Sequence, residues 1–181
     1  MRKRGLVVTV AGLHGSGRTT QAMKLAKAFG LRYVSTGTIF RERAAELNVS
    51  LEEMTRIAAA DDSFDRFLDD RAKKETLGGG VVLDATLSGW MAEKPDIRIY
   101  LTAPLDVRVR RIIEREKRSF EEVERETGLR EEAERERFLR YYGVDLEDLT
   151  IYDLVLNTAI FDADAVANIL KNVVEAYIRG S

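Results

Sequence analysis

Three glycines, an arginine and a threonine lie close together in the stretch GLHGSGRTT at residues 12–20. The glycines are Gly12, Gly15 and Gly17. Glycine adopts backbone conformations that a Cβ atom would forbid, so successive N–H groups here can point inward at one anion. Thr19 would lie in the first turn of a following helix, where its hydroxyl could ligate the Mg²⁺ that accompanies a nucleoside triphosphate. The spacing matches the polyphosphate-binding template G-x-x-x-x-G-K-[ST], except that Arg18 replaces the lysine.

The segments on either side favour a binding loop over a simple turn. The apolar run at 6–10 is typical of a buried strand, and the pattern over 22–29 indicates an amphipathic helix. A strand, a glycine-rich turn and a helix N-terminus make up a phosphate-binding P-loop. The candidate ATP-binding residues are Gly12, Leu13, His14, Gly15, Ser16, Gly17, Arg18, Thr19 and Thr20. His14, the single histidine, is interpreted as incidental. A turn that binds nothing is the alternative.

A carboxylate ends another apolar run. The sequence VVLD at 81–84 predicts a buried strand whose last residue is Asp84. Ligands of parallel α/β sheets bind beyond the C-terminal ends of the strands, so we expect Asp84 to face the P-loop. There it could hold Mg²⁺ with Thr19, directly or through water. A turn or helix-capping role is the alternative, because aspartates often have one at strand ends.

A polar turn containing Ser35 and Gly37 leads into a helix that carries Arg41. Helical side chains lean toward the N-terminus of their helix, so the Arg41 guanidinium can reach back over this turn. A guanidinium placed there could hold a second phosphate in bidentate fashion. An arginine on a solvated helix surface is the alternative.

Charged residues dominate the segment from Glu114 to Arg140, where they make up 18 of 27 positions. We therefore expect this segment to contribute nothing to the core. Helical spacing places Arg130, Glu134 and Arg137 on one face. The segment is either a solvated helix with i, i+4 ion pairs or a lid that brings arginines onto transferring phosphates. Phosphoryl transfer depends on charge neutralisation, which arginines and Mg²⁺ would supply.

Strands and helices alternate along the chain. The predicted strands lie at 6–10, 31–34, 81–84, 97–101 and 151–156. Alternation of this kind predicts an α/β protein with the three-layer P-loop fold, a five-stranded, mainly parallel sheet with helices on both faces. A capping box at Ser50–Glu53 and the pattern over 63–76 predict two of the connecting helices. We expect one domain over residues 1–181.

Composition excludes several classes of function. The chain has 181 residues, no cysteine and a net charge of −2. This charge argues against a general nucleic-acid-binding protein, and no apolar run approaches the ~20 residues that cross a bilayer. The lack of cysteine removes disulfides and thiolate metal sites and favours a cytoplasmic location. A single glutamine with abundant Glu and Arg is typical of a thermophile.

Five motifs occur in one order along nearly the whole chain. They are GLHGSGRTT at 12–20, STGTIFRE at 35–42, LSGWM at 87–91, the RExxExxR run from Arg130, and YGVD at 142–145 leading to IYDLV at 151–155. Together they resemble the nucleoside monophosphate kinases, and more narrowly the archaeal type of cytidylate kinase. The resemblance implies transfer of the ATP γ-phosphoryl group to CMP, or also dCMP, with Mg²⁺. It implies a nucleoside monophosphate (NMP)-binding helical segment at 36–77 and a helical lid at 114–140. Only small-molecule nucleotides are expected as partners, and the expected state is a monomer.

The same resemblance implies roles for individual residues. The catalytic arginines would be Arg18, Arg130 and Arg137. The acceptor would be bound by Ser35, Gly37, Arg41, Arg71, Ser88, Gly89, Trp90 and Glu134. Mg²⁺ would be held by Thr19 and Asp84. For the pyrimidine ring the candidates are Asp65, Arg66, Asp69 and Arg71, although these residues could equally form ion pairs on a helix surface.

Two residues depart from the family's pattern. Arg18 replaces the P-loop lysine, and Thr86 stands where the family usually has an arginine that helps to hold the acceptor phosphate. Either Arg71 or another basic side chain replaces that arginine, or the acceptor differs from CMP. The alternatives are therefore a kinase for AMP, UMP or a non-nucleotide acceptor, and a protein that binds nucleotide without turnover.

Overall fold

The computed structural model describes residues 5–50, 53–54, 57, 63–116 and 118–180. Its strands are β1 (Val7–Gly12), β2 (Arg32–Ser35), β3 (Val81–Asp84), β4 (Ile97–Thr102) and β5 (Leu154–Asn157). They form one sheet in the order β2-β3-β1-β4-β5, and every neighbouring pair is parallel. The predicted five-stranded sheet is thereby confirmed: β3 has its predicted bounds, and the ends of the other strands differ from the prediction by at most three residues.

Helices connect these strands. Within the described residues they are α1 (Arg18–Phe29), α2 (Thr36–Glu46), α3 (Ser63–Leu77), α4 (Ser88–Met91), α5 (Leu105–Glu116), α6 (Phe120–Tyr142) and α7 (Ala163–Gly180). None of the helices described here is long and apolar enough to span a membrane. The N–H of Glu53 donates to Ser50 Oγ at 3.1 Å, as a capping box requires, but most of the helix predicted there lies outside the described residues.

Two apolar clusters lie on opposite faces of the sheet. On one face, alternate residues of β1 such as Val8 and Val10 pack with Leu25 of α1 and Leu170 of α7. On the other face, a cluster that includes Val7 joins β1 to β3, α2 and α3. All six residues of β1 are buried, as expected for the central strand of a sheet covered on both sides. The predicted three-layer arrangement is confirmed.

The charged segment differs from its prediction in two ways. It is divided between two helices, because α5 ends at Glu116 and α6 begins at Phe120 after a Ser119 cap. It also reaches the core, since Val123 and Phe138 are only 2% and 6% exposed. These side chains pack into two separate apolar clusters. The expectation of no core contribution is therefore wrong, because an average over a charged helix hides a few apolar residues on its inner side.

The strand register places one carboxylate at the C-terminal edge of the sheet, between the ends of β1 and β2. Asp84, the last residue of β3, lies opposite Val10 of β1 and opposite Ser35 at the end of β2. The P-loop follows β1 directly. The turn that opens α2 follows β2. The side chain at position 84 consequently lies between the two segments that the sequence predicts to bind phosphates.

Candidate functional site

The P-loop has the backbone that its glycines predict. Gly12, Gly15 and Gly17 have φ values of 145°, 79° and 90°. A Cβ atom on Gly15 would lie 2.6 Å from the carbonyl oxygen of Arg108, and one on Gly12 would lie 2.1 Å from that of Leu101. Among the described residues, no atom lies within 4 Å of a Cβ placed on Gly17. The loop is therefore fitted closely against β4 and α5 at its first two glycines and is open at the third.

This difference predicts unequal costs for alanine at two positions of the same loop. Gly17→Ala should lower the free energy of unfolding by about 1–2 kcal/mol, the cost of a left-handed conformation for a residue with a Cβ. Gly15→Ala adds a collision with the backbone of Arg108, so its loss should exceed that of Gly17→Ala by about 1–3 kcal/mol. Urea unfolding without nucleotide measures both. Equal losses would contradict the close packing of Gly15.

The carboxylate of Asp84 is contacted by side chains from the P-loop helix and from β2. It is 2% exposed and accepts three hydrogen bonds from side chains. Arg18 Nε donates to its Oδ1 at 2.5 Å, while the hydroxyls of Thr19 and Tyr33 each donate to its Oδ2 at 2.8 Å. Burial raises the pKa of Tyr33, and the nearby charge of Asp84 adds to this shift, so the phenol keeps its proton. The prediction that Asp84 faces the P-loop is confirmed.

The same geometry fits a magnesium ion. Thr19 Oγ1 and Asp84 Oδ2 are 2.8 Å apart, which allows both oxygens to serve one small cation. Mg²⁺ is usually held by one or two carboxylates together with substrate phosphates and waters. Thr19 and Asp84 are therefore the residues that would hold it. Inside the loop, the buried Ser16 Oγ has no hydrogen-bond partner among the described residues, which leaves one more polar group for a ligand.

Arg18 lies across the loop on the side of β3. Besides its bond to Asp84, Nη1 donates to the carbonyl oxygen of Gly12 at 2.9 Å and to Thr86 Oγ1 at 3.1 Å. Both positions at which the chain departs from the family's pattern are thus in direct contact.

The turn after β2 is arranged as the sequence predicts. Ser35 is the N-cap of α2 and its Oγ accepts a hydrogen bond from the N–H of Thr38 at 3.0 Å. Arg41 folds back over the turn, since its Nη1 would lie 3.6 Å from a Cβ placed on Gly37. Its Nη2 donates to Thr38 Oγ1 at 3.4 Å, and the side chain is exposed. The predicted reach of Arg41 is confirmed, and its exposed guanidinium lies over the turn that follows β2.

The remaining predicted acceptor residues are placed differently. Arg71 forms an i, i+4 ion pair with Glu75 at 3.2 Å, the ion-pair alternative that the sequence left open. Trp90 packs in the apolar cluster formed by Leu87, Phe138 and Val144. Among the described residues, neither Arg71 nor Trp90 forms a hydrogen bond or an ion pair with the P-loop.

Two further predicted acceptor residues, Ser88 and Gly89, take part in packing, and two of the candidate base-reading residues contact the end of α6. Ser88 is fully buried, and Gly89 lies against the ring of Tyr152, whose Cε1 would be 2.6 Å from an added Cβ. Of the candidate base-reading residues, Asp69 accepts a hydrogen bond from the hydroxyl of Tyr142 at 2.6 Å. The guanidinium carbon of Arg66 lies 5.7 Å from the ring centre of Tyr141. The side chain of Asp65 lies outside the described part of the chain.

Hydrogen bonds at His14 connect helix α6 to the P-loop. The ring Nε2 lies 3.0 Å from Glu134 Oε2, and the backbone N–H donates to Glu131 Oε1 at 3.2 Å. Arg108, which is 5% exposed, donates both to the carbonyl oxygen of His14 at 2.9 Å and to Glu131 Oε1 at 2.6 Å. The interpretation of His14 as incidental is therefore wrong. It links the phosphate-binding loop to the helix that carries Arg130, whose Nε lies 3.3 Å from Glu134 Oε1.

These contacts predict a dependence of stability on pH. Burial of Glu134 opposes its ionisation, but hydrogen bonds and charge from His14 and Arg130 outweigh it and lower the pKa of Glu134. A lowered carboxyl pKa stabilises the fold above the pKa of the unfolded chain, about 4.3, and this contribution disappears as the pH falls through the folded value. Glu134→Gln should therefore lower the free energy of unfolding by about 1–3 kcal/mol at pH 7 and by much less at pH 3.

The measurement is urea unfolding of both proteins between pH 3 and pH 7. Glu132→Gln, the same change at an exposed position of the same helix, is the control. A difference between wild type and Glu134→Gln that does not shrink on acidification would contradict the lowered pKa of Glu134.

A cavity of about 510 Å³ lies beside the P-loop, and we call it the larger cavity because a second one, between the P-loop and α6, measures about 390 Å³. The larger cavity is lined by residues 13–20 and by Arg111, Arg118, Arg130 and Phe161. Arg111 is held by Thr158, to whose Oγ1 and carbonyl oxygen it donates at 2.9 and 2.8 Å. The volume of this cavity lies within the range of sites that bind a small organic ligand.

Sequence reasoning missed Arg108, Arg111 and Glu131. The two arginines have a usable signal, since they lie three residues apart in the first two turns of a helix that follows a strand. Such positions lie at the ligand-binding edge of a parallel sheet. Glu131 is the second residue of the RExxExxR run, but no spacing within that run relates it to Arg108 or His14.

Comparisons with known proteins agree with this geometry. A family model described as an AAA domain matches residues 11–130. Among solved structures, an uncharacterised protein from Eubacterium ventriosum superposes with a TM-score of 0.69 at 14% identity, over 94% of this chain and 98% of that one. A shikimate kinase from Bacteroides thetaiotaomicron superposes with a TM-score of 0.61 at 14% identity, again over 94% of this chain and 98% of that one. At this identity the likeness concerns the fold, which is that of P-loop kinases.

Two curated relatives are much more similar in sequence. The cytidylate kinase of Staphylothermus marinus is 43% identical over 175 residues, which make up 96% of this chain and 99% of that protein. The cytidylate kinase of Pyrococcus horikoshii is 41% identical over 175 residues, which make up 97% of this chain and 91% of that protein. The chain therefore belongs to the cytidylate kinase family, as the resemblance of its motifs predicts.

Proposed function

We propose that this protein is an ATP-dependent cytidylate kinase that transfers the γ-phosphoryl group of ATP to CMP and releases ADP and CDP. The observation that carries the proposal is the convergence on Asp84 of Arg18 and Thr19 from the P-loop, with the turn of Ser35 at the neighbouring strand end. Two phosphate-binding segments on either side of one carboxylate are what phosphoryl transfer between two nucleotides requires. The names of the family's curated members support the choice of CMP.

The donor would lie in the larger cavity. Backbone N–H groups of residues 12–19 and the N-terminus of α1 would bind its phosphates. Arg111, Arg118 and Arg130 line the same cavity and carry positive charge toward it. Mg²⁺ would be held by Thr19 and Asp84 and would neutralise charge on the phosphates.

The acceptor would lie on the α2 side of Asp84. Arg41 and the turn at Ser35 and Gly37 would hold the phosphate of CMP, as the family resemblance implies. An oxygen of that phosphate, already anionic at neutral pH, forms the new bond to the γ-phosphorus while the bond from that phosphorus to the β–γ bridging oxygen of ATP breaks. No strong general base is needed, so positioning and charge neutralisation account for the rate.

Lid closure belongs to the same proposal. With α6 already in contact with the P-loop at His14, Arg130 and Arg137 on this helix would turn onto the phosphates when the nucleotides bind. Exclusion of water would strengthen their charge interactions. The lid at 114–140, the NMP-binding segment at 36–77, the monomeric state and the cytoplasmic location remain predictions from the sequence.

An acceptor panel tests the proposal. The protein is incubated with ATP, Mg²⁺ and one acceptor at a time (CMP, dCMP, UMP, AMP or shikimate), and ADP release is followed in a coupled assay. We expect the highest kcat/KM for CMP or dCMP, by at least tenfold over the other acceptors. A higher value for another acceptor would contradict the substrate, and release of ADP with none of them would contradict the reaction.

A further inference from the structure

The guanidinium of Arg18 is held by three different segments of the chain. Asp84 at the end of β3 accepts from Nε, the carbonyl oxygen of Gly12 accepts from Nη1, and so does the hydroxyl of Thr86 in the turn before α4. Both N–H groups of Nη1 and the single one of Nε are thereby used. Nη2 takes part in no hydrogen bond found among the described residues. One edge of the group is thus anchored, and one nitrogen with two donors remains for a phosphate.

An arginine at this position needs such an anchor more than a lysine does. The template lysine is a compact ammonium at the end of a straight stem and offers its three rotatable donors to the phosphates. A guanidinium is a planar fork whose donors point in fixed directions, so a small tilt of its plane misdirects them. Asp84 holds this fork through Nε alone, because its other oxygen accepts from Thr19 and Tyr33. The direction of Nη1 therefore depends on Gly12 and Thr86.

Thr86 is placed to supply the missing constraint. It lies in a short turn whose backbone is fixed by the N–H of Ser88, which donates to the carbonyl oxygen of Ala85 at 3.0 Å. Its side chain lines a cavity of about 390 Å³ with Gly12, His14 and Glu134, between the P-loop and α6. The hydroxyl is neutral, so it can hold Arg18 without lowering the positive charge that the guanidinium presents.

We propose that Thr86 is a positioning residue for Arg18: its hydroxyl fixes the plane of the guanidinium so that Nη2 is directed to the transferring phosphate. Arg18 and Thr86, the two residues that depart from the family's pattern, then depend on each other. An arginine in the P-loop works in this chain because position 86 carries a short hydroxyl side chain, and a second arginine at 86 would compete for the same space and repel it. This inference rests on the proposed kinase activity for its main readout.

The experiment is a double-mutant cycle on the full chain, with Arg18→Lys, Thr86→Val and the pair combined. Valine keeps the shape of threonine and removes its hydroxyl. In the wild-type background we expect Thr86→Val to lower kcat about 5- to 20-fold, with each KM changed less than threefold. This lies near the lower limit for one lost hydrogen bond to a charged group, because Asp84 and Gly12 still hold the guanidinium. In the Arg18→Lys background the same change should alter kcat less than twofold, because a lysine does not use the hydroxyl.

Thr86→Ser, which retains a hydroxyl, should restore kcat to within about threefold of wild type, and melting temperatures identify any variant that fails to fold. An equal loss from Thr86→Val in both backgrounds, or no loss in the wild-type background, would overturn the pairing. If no acceptor of the panel is phosphorylated, the proposed function fails separately. The cycle is then measured as the Kd for ATP by titration calorimetry, where additive effects would overturn the pairing and non-additive effects would support it.

Discussion

Replacing Asp84 with asparagine is expected to lower kcat by about 10²- to 10³-fold. The carboxylate is buried and orients Arg18 and Thr19 through its two oxygens. The amide of asparagine offers one acceptor oxygen and an NH₂ group that would point at one of these donors. Loss of one preorganised electrostatic contact at a phosphoryl-transfer site has an effect of this size, and the residue would also hold the metal.

The same substitution should destabilise the fold. Arg18 is 17% exposed at its side chain and would lose its carboxylate partner, although Gly12 and Thr86 still accept from it. Breaking a buried ion pair by removing one partner costs about 3–5 kcal/mol, and the two remaining acceptors place our expectation at the lower end. Steady-state kinetics and urea unfolding measure the two effects.

Asp106→Asn is the matched control for Asp84→Asn, since it makes the same chemical change at an exposed position in the first turn of α5. We expect its kcat within about twofold of wild type. An Asp84→Asn protein that folds and retains more than a tenth of the wild-type kcat would contradict the central place of this carboxylate.

Replacing Arg41 with alanine is expected to raise the KM for CMP about 10- to 100-fold while the KM for ATP changes less than threefold. The guanidinium lies over the turn at Gly37 and is exposed, so it can form charge-assisted hydrogen bonds to a phosphate bound at this turn. Such a bond contributes about 1.5–3 kcal/mol, which corresponds to this range of KM. Initial rates over a range of CMP concentrations give the value.

Arg43→Ala makes the same charge change on the same helix and serves as the control for Arg41→Ala. Arg43 is paired with Glu46 at 2.9 Å and lies 5.1 Å from the ring centre of Phe67, so its loss should affect stability and leave the KM for CMP within about twofold. A similar rise of KM in both variants would show a general effect of net charge. An unchanged KM in Arg41→Ala would remove this residue from the acceptor site.

The sheet and the centre of the site could be predicted from the sequence because both follow from local patterns. Apolar runs of β-branched residues mark the strands, and parallel strands bring their C-terminal ends to one edge. Asp84 therefore had to lie near the P-loop once both were assigned to strand ends. Arg41 was predictable for a similar reason, since its contact with the turn at Gly37 depends on helix geometry within one turn.

The contacts of α6 could not be predicted in this way. Arg108 and Glu131 are 23 residues apart, and His14 and Glu134 are 120 residues apart, so no local spacing relates them. Nor does composition select Glu131 among the glutamates of that helix. Trp90 is a different case: its motif lies beside Asp84 in sequence, and the short helix α4 places its ring against an apolar cluster, which no sequence spacing indicates.

The most direct test of the central claim follows the phosphoryl group itself. Wild-type protein is incubated with Mg²⁺, CMP and ATP labelled with ³²P at the γ position, and the products are separated by chromatography. Transfer through this site predicts that the label moves into the β-phosphate of CDP in amounts equal to the ADP formed, and that Asp84→Asn reduces both together. Label found only in inorganic phosphate, or left in ATP while CMP is unchanged, would contradict it.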